Sequence, residues 1–251
     1  MTVVLYWMSV SHPSQAARKM LDVKHIEYEL VDVVPLQQRI HLRAAGFRGG
    51  TVPALKLDGQ RIQGSRQIAR VLDERWPEPP LFPADSALRA RVEEAERWGD
   101  EQLQPIPRRL FRYGVARNPR LRQWAVRAQR LPMPALTAQA IRPAVEWYVR
   151  TVEADGRRAT EAGVRADLAA LPELLDHVDR LLVDGTLTVD PPNAATLQVM
   201  PTINLLGGFA DLADLVASHA CAEPARDLFP HYRTKLPPFL DPAWLEPMRT
   251  S

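Results

Sequence analysis

Four prolines in eight residues, Trp76-Pro77-Glu78-Pro79-Pro80-Leu81-Phe82-Pro83, divide the sequence into two unlike parts. Proline fixes φ and lacks an N–H, so neither a helix interior nor a central strand runs through such a stretch. It reads as a stiff linker and a domain boundary, giving units at residues 1–83 and 84–251. Strand-like and helix-like runs alternate before it. Beyond it, the patterned segments are all helical.

The first part reads β-α-β-α-β-β-α. Val3-Val4-Leu5-Tyr6-Trp7 is β-branched and aromatic, a buried strand. Ser11-His12-Pro13-Ser14 then opens a helix, with Pro13 placed in the first turn, where its missing N–H costs nothing. Tyr28 to Val34 alternates as a second strand, returning parallel to the first through the helical crossover. Pro35 to Phe47 is weakly patterned and is expected to hold a short helix. Asp58-Gly59 folds Thr51 to Ile62 into a hairpin, with Pro53 at the start of its first strand. Ser65 is the expected N-cap of an amphipathic helix carrying Ile68, Ala69, Val71 and Leu72.

In the second part, apolar spacing predicts helices over 84–103, 135–152 (kinked near Pro143), 166–183 and 210–220. Asp184-Gly185 is a stop signal, and Asn193 is the expected N-cap of a further, buried helix. The last thirty residues, rich in proline and aromatics, are expected to lie as a tail over the body.

Composition excludes several classes. A net charge of +2 gives no case for nucleic acid, and no reading helix is evident. The longest uncharged window, 191–210, is broken by three prolines and a Gly-Gly pair, so no membrane span is expected. Cys221 is the single cysteine, which rules out an intrachain disulfide and fits a reduced, cytoplasmic setting. The six histidines lack metal-ligand spacing, so no metal is expected.

Ser11 sits at the mouth of the first helix, where orphan N–H groups and the helix dipole favour an anion such as a thiolate. A hydroxyl there also serves as an ordinary cap. Ser9 and Tyr6 are rival hydroxyls for the same site.

With Ser11-His12-Pro13-Ser14, Thr51-Val52-Pro53-Ala54-Leu55, and Ser65-Arg66-Gln67-Ile68-Ala69-Arg70-Val71-Leu72 in this order, the sequence resembles the glutathione S-transferase superfamily. The resemblance covers residues 3–83 in detail and the remainder by architecture. It implies an α/β thioredoxin-like N-terminal domain followed by an all-α helical domain. It implies that Val52, before a cis Pro53, pairs through its backbone with the cysteinyl unit of a thiol tripeptide. Ser65 and the N–H of Arg66 would hold the γ-glutamyl carboxylate. Ser11 would donate to the thiol sulfur and favour its thiolate, for attack on an electrophile bound by the helical domain. It further implies a homodimer, with glutathione or another low-molecular-weight thiol as co-substrate and no cofactor.

The sequence also departs from that pattern. Gly64 stands where the family often has Glu or Gln, with Gln63 one position earlier. Neither 11 nor 14 is cysteine, which removes disulfide-exchange chemistry. Eight arginines between Arg108 and Arg130, with no Asp, Glu or Lys among them, make either a solvated face or a pocket for an anion beside Ser11. Trp98, Arg112 and Tyr113 are the expected electrophile side, and His12 is a candidate local positive charge. Two readings result: a transferase joining a small thiol to an apolar electrophile, and a transferase-like module that binds ligands or partners without catalysis.

Overall fold

The computed structural model describes residues 1–34, 37–128, 143, 159–232 and 234–249. Strands β1 (Val3–Trp7), β2 (Glu29–Asp32), β3 (Ala54–Leu57) and β4 (Gln60–Gln63) form one sheet in the order β2-β1-β3-β4. β1 and β2 are parallel, while β3 is antiparallel to both β1 and β4. Helices α1 (His12–Val23), α2 (Gln38–Ala44) and α3 (Ser65–Arg75) complete an N-terminal thioredoxin-like domain.

The alternation within β1 explains the layering. Val3, Leu5 and Trp7 join Leu55, Leu57 and Ile62 on the face covered by Met20 and Leu21 of α1 and Ile68 and Leu72 of α3. Tyr6 and Ala54 point the other way, into a smaller cluster with Leu42 and Phe47. Between β3 and β4, Asp58 and Gly59 adopt φ of +46° and +90°, the paired positive angles that a two-residue hairpin turn of the expected kind requires.

The helical part comprises α4 (Ser86–Trp98), a π turn (Gly99–Leu103), α5 (Pro105–Arg117), α6 (Pro119–Ala128), α7 (Glu161–Val183), α8 (Ala194–Gly207), α9 (Ala213–Ala217), α10 (Ala222–Leu228) and α11 (Pro242–Arg249). At its centre lies α8, buried along its length except at Asn204 and Gly207, and packed against α1. Asn193 caps α8 as expected, its Oδ1 accepting from Thr196 N at 3.0 Å. A Cβ on Gly99 would stand 2.8 Å from Val199 Cγ2, so the glycine at the start of the π turn sets the close approach of α4 to α8.

Several expectations change. β2 is shorter than the predicted 28–34, and the Tyr28 hydroxyl just ahead of it engages Arg18 and Asp22. Ser65 is the first residue of α3 rather than its cap; Gly64, at φ +88°, makes the corner out of β4. α7 begins five residues earlier than predicted, capped by Thr160. The predicted helix over 210–220 shrinks to α9, because Phe209 and Ala210 pair with Leu236 of the C-terminal segment. The helix predicted over 135–152 and its kink lie outside the described residues, apart from a helical Pro143.

The proline-rich stretch is pinned to the body. Asp73 Oδ1 accepts from Leu81 N at 2.7 Å and pairs with the buried Lys24, and Leu81 O accepts from Ala194 N. Buried Phe82 lies between the guanidinium groups of Arg70 and Arg89, at 5.1 and 5.0 Å from its ring centre. No described helix is long and apolar enough to cross a membrane.

Candidate functional site

Strand register decides which sequence motifs meet. Tyr6 is paired with Ala54, and Ala54 with Gln63, so one row crosses β1, β3 and β4. β1 and β4 run the same way and β3 runs opposite. The turn after β1, the approach to β3 and the exit from β4 therefore lie at one end of the sheet. Ser11, Val52-Pro53 and Ser65-Arg66 belong to these three segments, and neighbouring strands are about 4.8 Å apart. Gly64 N donates to Pro53 O at 3.0 Å, extending the contact one residue past the strands.

Each segment is held locally. Ser11 caps α1, its Oγ accepting from Ser14 N at 3.4 Å, and its own N–H donates to Met8 O at 3.0 Å. Ser14 is buried and accepts from Met8 N, while Gln15 Nε2 donates to Ser9 O at 2.6 Å. Ser9 is exposed and outside the helix; Ser11 is at its mouth, half-buried. Tyr6 turns its ring onto Phe47 at 5.3 Å.

The Val52-Pro53 peptide is cis. Among the described residues, nothing pairs with the backbone N–H or C=O of Val52. Gln63 spans the loop in front of it, accepting from Gly49 N at 2.7 Å and donating to Thr51 O at 3.2 Å. This structural duty explains Gln63 one position before Gly64.

At the start of α3 no side chain caps the helix, and the first intrahelical bond is Ile68 N to Gly64 O. The N–H groups of Ser65, Arg66 and Gln67 thus form an anion-favouring helix end. The Arg66 side chain runs to the first helix of the second part, 3.5 Å from Glu96 Oε2 and 3.9 Å from Asp100 Oδ2. Arg70 reaches the same Glu96 oxygen at 2.7 Å. Glu96 is fully buried, and that burial outweighs its two arginines and raises its pKa.

His12 does not supply the expected positive charge. Burial, reinforced by Arg108, holds its pKa well below the ordinary imidazole value, so it is neutral near pH 7. The cation bearing on this turn is Arg108 of α5, which also donates to Gln104 Oε1 at 2.6 Å. Sequence reasoning placed Arg108 only within the arginine run; nothing in the spacing singled it out.

The run itself divides by role. Arg109 makes a buried fork with Asp167 of α7, and Arg122 closes the end of α5 by donating to Val115 O and Ala116 O. Arg117 lies over the Tyr113 ring at 4.1 Å. Arg120 and Arg127 are exposed, and Arg130 lies outside the described residues. Arg112 follows Arg108 by one helical turn and shares its face. Tyr113, one turn after Arg109, is buried against Trp244. Trp98 packs edge-on to His177 of α7 at 4.5 Å. It projects about 200° around α4 from Glu96, which faces α3. Of the three expected electrophile residues, only Arg112 shares the face of α5 that bears on His12.

Residues 5–80 match the family described as Glutathione S-transferase, N-terminal domain. No curated protein matches the sequence. Among solved structures, a glutathione S-transferase from Rhodospirillum rubrum F11 is 20% identical, with a TM-score of 0.55 over 89% of this chain and 91% of that one. Glutathione transferase F2 from Populus trichocarpa is 15% identical, with a TM-score of 0.59 over 99% and 98% of the two chains. A glutathione S-transferase from Sinorhizobium meliloti 1021 is 16% identical, with a TM-score of 0.57 over 100% and 93%. Residues 5–80 are thus a glutathione S-transferase N-terminal domain, and the chain as a whole shares the fold of these structures.

Proposed function

We propose that the protein is a glutathione transferase-like enzyme that joins a low-molecular-weight thiol to a small apolar electrophile, with Ser11 activating the thiol. The observation that carries this reading is the strand register that gathers Ser11, Val52 and the open end of α3 at one end of the sheet. An extended thiol peptide fits across that end. Its cysteinyl backbone would pair with Val52 as an added strand, and its terminal carboxylate would take the N–H groups of Ser65 and Arg66.

Ser11 Oγ–H would donate to the sulfur. That bond favours the thiolate over the thiol, as do the α1 dipole and the Arg108 charge. The thiol proton passes to solvent. The thiolate then attacks the electrophilic carbon, so that an S–C bond forms and the bond to the leaving group breaks, the leaving group departing as its anion. A serine hydroxyl forms no mixed disulfide, so the sulfur remains on the co-substrate. A cytoplasmic setting and a two-fold homodimer belong to the same reading, and sedimentation tests the latter.

The experiment pairs calorimetric titration of glutathione with a chlorinated aromatic electrophile assay, on wild type and Ser11→Ala. Thiol binding with a Ser11-dependent rate supports the proposal. One unit of thiol pKa is worth about 1.4 kcal/mol, so loss of the hydroxyl bond is expected to lower the rate about tenfold at neutral pH. Binding without turnover would favour a ligand-binding module. If neither glutathione nor another small thiol bound at millimolar concentration, the reading would be wrong.

A further inference from the structure

We propose that Asp176, Asp179 and His219 form a binding site for a divalent cation of the zinc class. Asp176 and Asp179 stand three residues apart on α7, hence on one face. His219 comes from the turn after α9. One donor atom from each residue lies within 4.8 Å of the others. The spacing of the histidines in the sequence does not announce the site, because two of its three ligands are carboxylates about forty positions earlier.

The imidazole is already oriented. His219 Nδ1 lies 2.9 Å from Leu215 O, a carbonyl that can only accept. Nδ1 therefore carries the proton, and Nε2 presents its lone pair on the side of Asp176, whose Oδ1 is 3.4 Å away. A ring N–H donated to a backbone carbonyl is the usual outer support of a metal-binding histidine. With that tautomer, Nε2 and the carboxylate oxygen face each other lone pair to lone pair. The contact is favourable only with a cation between them, either a proton or a metal.

Asp179 is oriented independently. Its Oδ1 accepts from Cys221 N at 2.8 Å and its Oδ2 from Ala220 N at 3.2 Å. The Cys221 thiol also hydrogen-bonds this carboxylate, which leaves it one acceptor position for a cation. Asp176 is exposed and His219 half-buried, so a cation has access from solvent. One imidazole nitrogen with two carboxylates suits zinc and its neighbours in the first transition row better than magnesium or calcium, which take oxygen ligands. Three protein ligands leave a position for water. The Cys221 thiol is buried and is not among the gathered donors. A bound cation would fasten the turn ahead of α10 to α7.

The test uses the full-length, tag-free protein at pH 7.5. Cobalt(II) is titrated and followed by its visible absorption, zinc then competes, and equilibrium dialysis counts the metal. One metal per chain is expected. Asp176→Asn and His219→Gln are each expected to weaken binding at least tenfold, and His231→Gln, at an exposed histidine, not at all. Zinc should raise the Tm of wild type and leave that of Asp176→Asn unmoved. Asp176 is exposed and caps nothing, so that variant remains informative if His219→Gln fails to fold. Absence of saturable binding below millimolar metal would overturn the site. Equal binding by wild type and Asp176→Asn would also overturn it.

Discussion

Tyr232 Oη donates to the carbonyl of Val10 at 2.9 Å, joining residues 222 positions apart. The C-terminal segment thereby holds the loop one residue before Ser11. Burial pushes the Tyr232 phenol up, so it keeps its proton throughout the working pH range. The segment is itself fastened: Asn204 Nδ2 donates to Tyr232 O at 2.8 Å, and Leu236 N donates to Gly208 O at 2.8 Å. Tyr232→Phe removes one bond and leaves the Val10 carbonyl to find another donor. Stability is expected to fall by about 1–2 kcal/mol. On the proposed function, the KM for thiol should rise several-fold with a smaller change in kcat, because Oη holds a loop rather than the reacting sulfur. Urea unfolding and steady-state kinetics measure the two effects. A kcat loss at unchanged KM would place Oη in the chemistry instead.

His12 should leave a signature in the pH dependence of stability. Its folded pKa lies below its unfolded value of about 6.5. The unfolded chain therefore binds the proton first as pH falls, and the native state loses stability below about pH 6.5, by at most 1.4 kcal/mol per pH unit. Above that value both states are neutral there and the contribution is complete. Glu96 acts oppositely: its raised folded pKa favours the native state at low pH and removes that advantage as pH rises through it. His12→Asn should flatten the loss between pH 7 and 5 in urea midpoints. An unchanged slope would mean that His12 takes up its proton in the folded state.

Gly64 tests whether the exit from β4 sets the anion-favouring end of α3. Its φ of +88° lies where a Cβ is disfavoured, although nothing stands within 4 Å of the added atom. Gly64→Ala therefore probes backbone conformation alone, with an expected cost of about 1–2 kcal/mol. The Ser65 and Arg66 N–H groups should shift with it, raising the KM for thiol several-fold. Gly59→Ala, at φ +90° in the hairpin turn, should lose similar stability with KM unchanged. Equal KM effects would show that the corner does not position the site.

The N-terminal topology was legible because each of its signals is local. The β1 alternation, Asp58-Gly59 and the Ser11 helix start act over a few residues. The meeting of Ser11, Val52 and Ser65 was legible only through the family resemblance; strand register is its physical cause. Arg108 beside His12 was not legible, since every arginine in the run has the same local surroundings. Arg108 bears on α1 while its neighbour Arg109 pairs with α7, and helix packing alone decides which face of α5 meets which. His12 shows the same limit in reverse. Its place in the turn suggested charge, and burial removes it. The tail shortened the helix predicted over 210–220 because a strand-like pairing of Phe209 with Leu236 lies outside any local pattern.

The arginine run gives the sharpest contrast between a charge that binds and a charge that holds. Arg109 is nearly buried, with 5% of its side chain exposed, and forks onto Asp167, also largely buried, between α5 and α7. Nε lies 2.5 Å from Asp167 Oδ2, and Nη2 meets Oδ1. Removing one partner leaves the other charge without its counterion in a low-dielectric setting. Arg109→Met and Asp167→Leu are therefore each expected to cost about 3–5 kcal/mol. The double variant removes both desolvation costs and should recover most of that loss, giving a coupling energy well above 1 kcal/mol in a double-mutant cycle. Arg120→Met, at an exposed member of the same run, should change stability by less than about 0.5 kcal/mol. Chemical denaturation of the four proteins of the cycle and the Arg120 control decides the matter. Additive losses would mean that Arg109 and Asp167 are held by their separate surroundings rather than by each other.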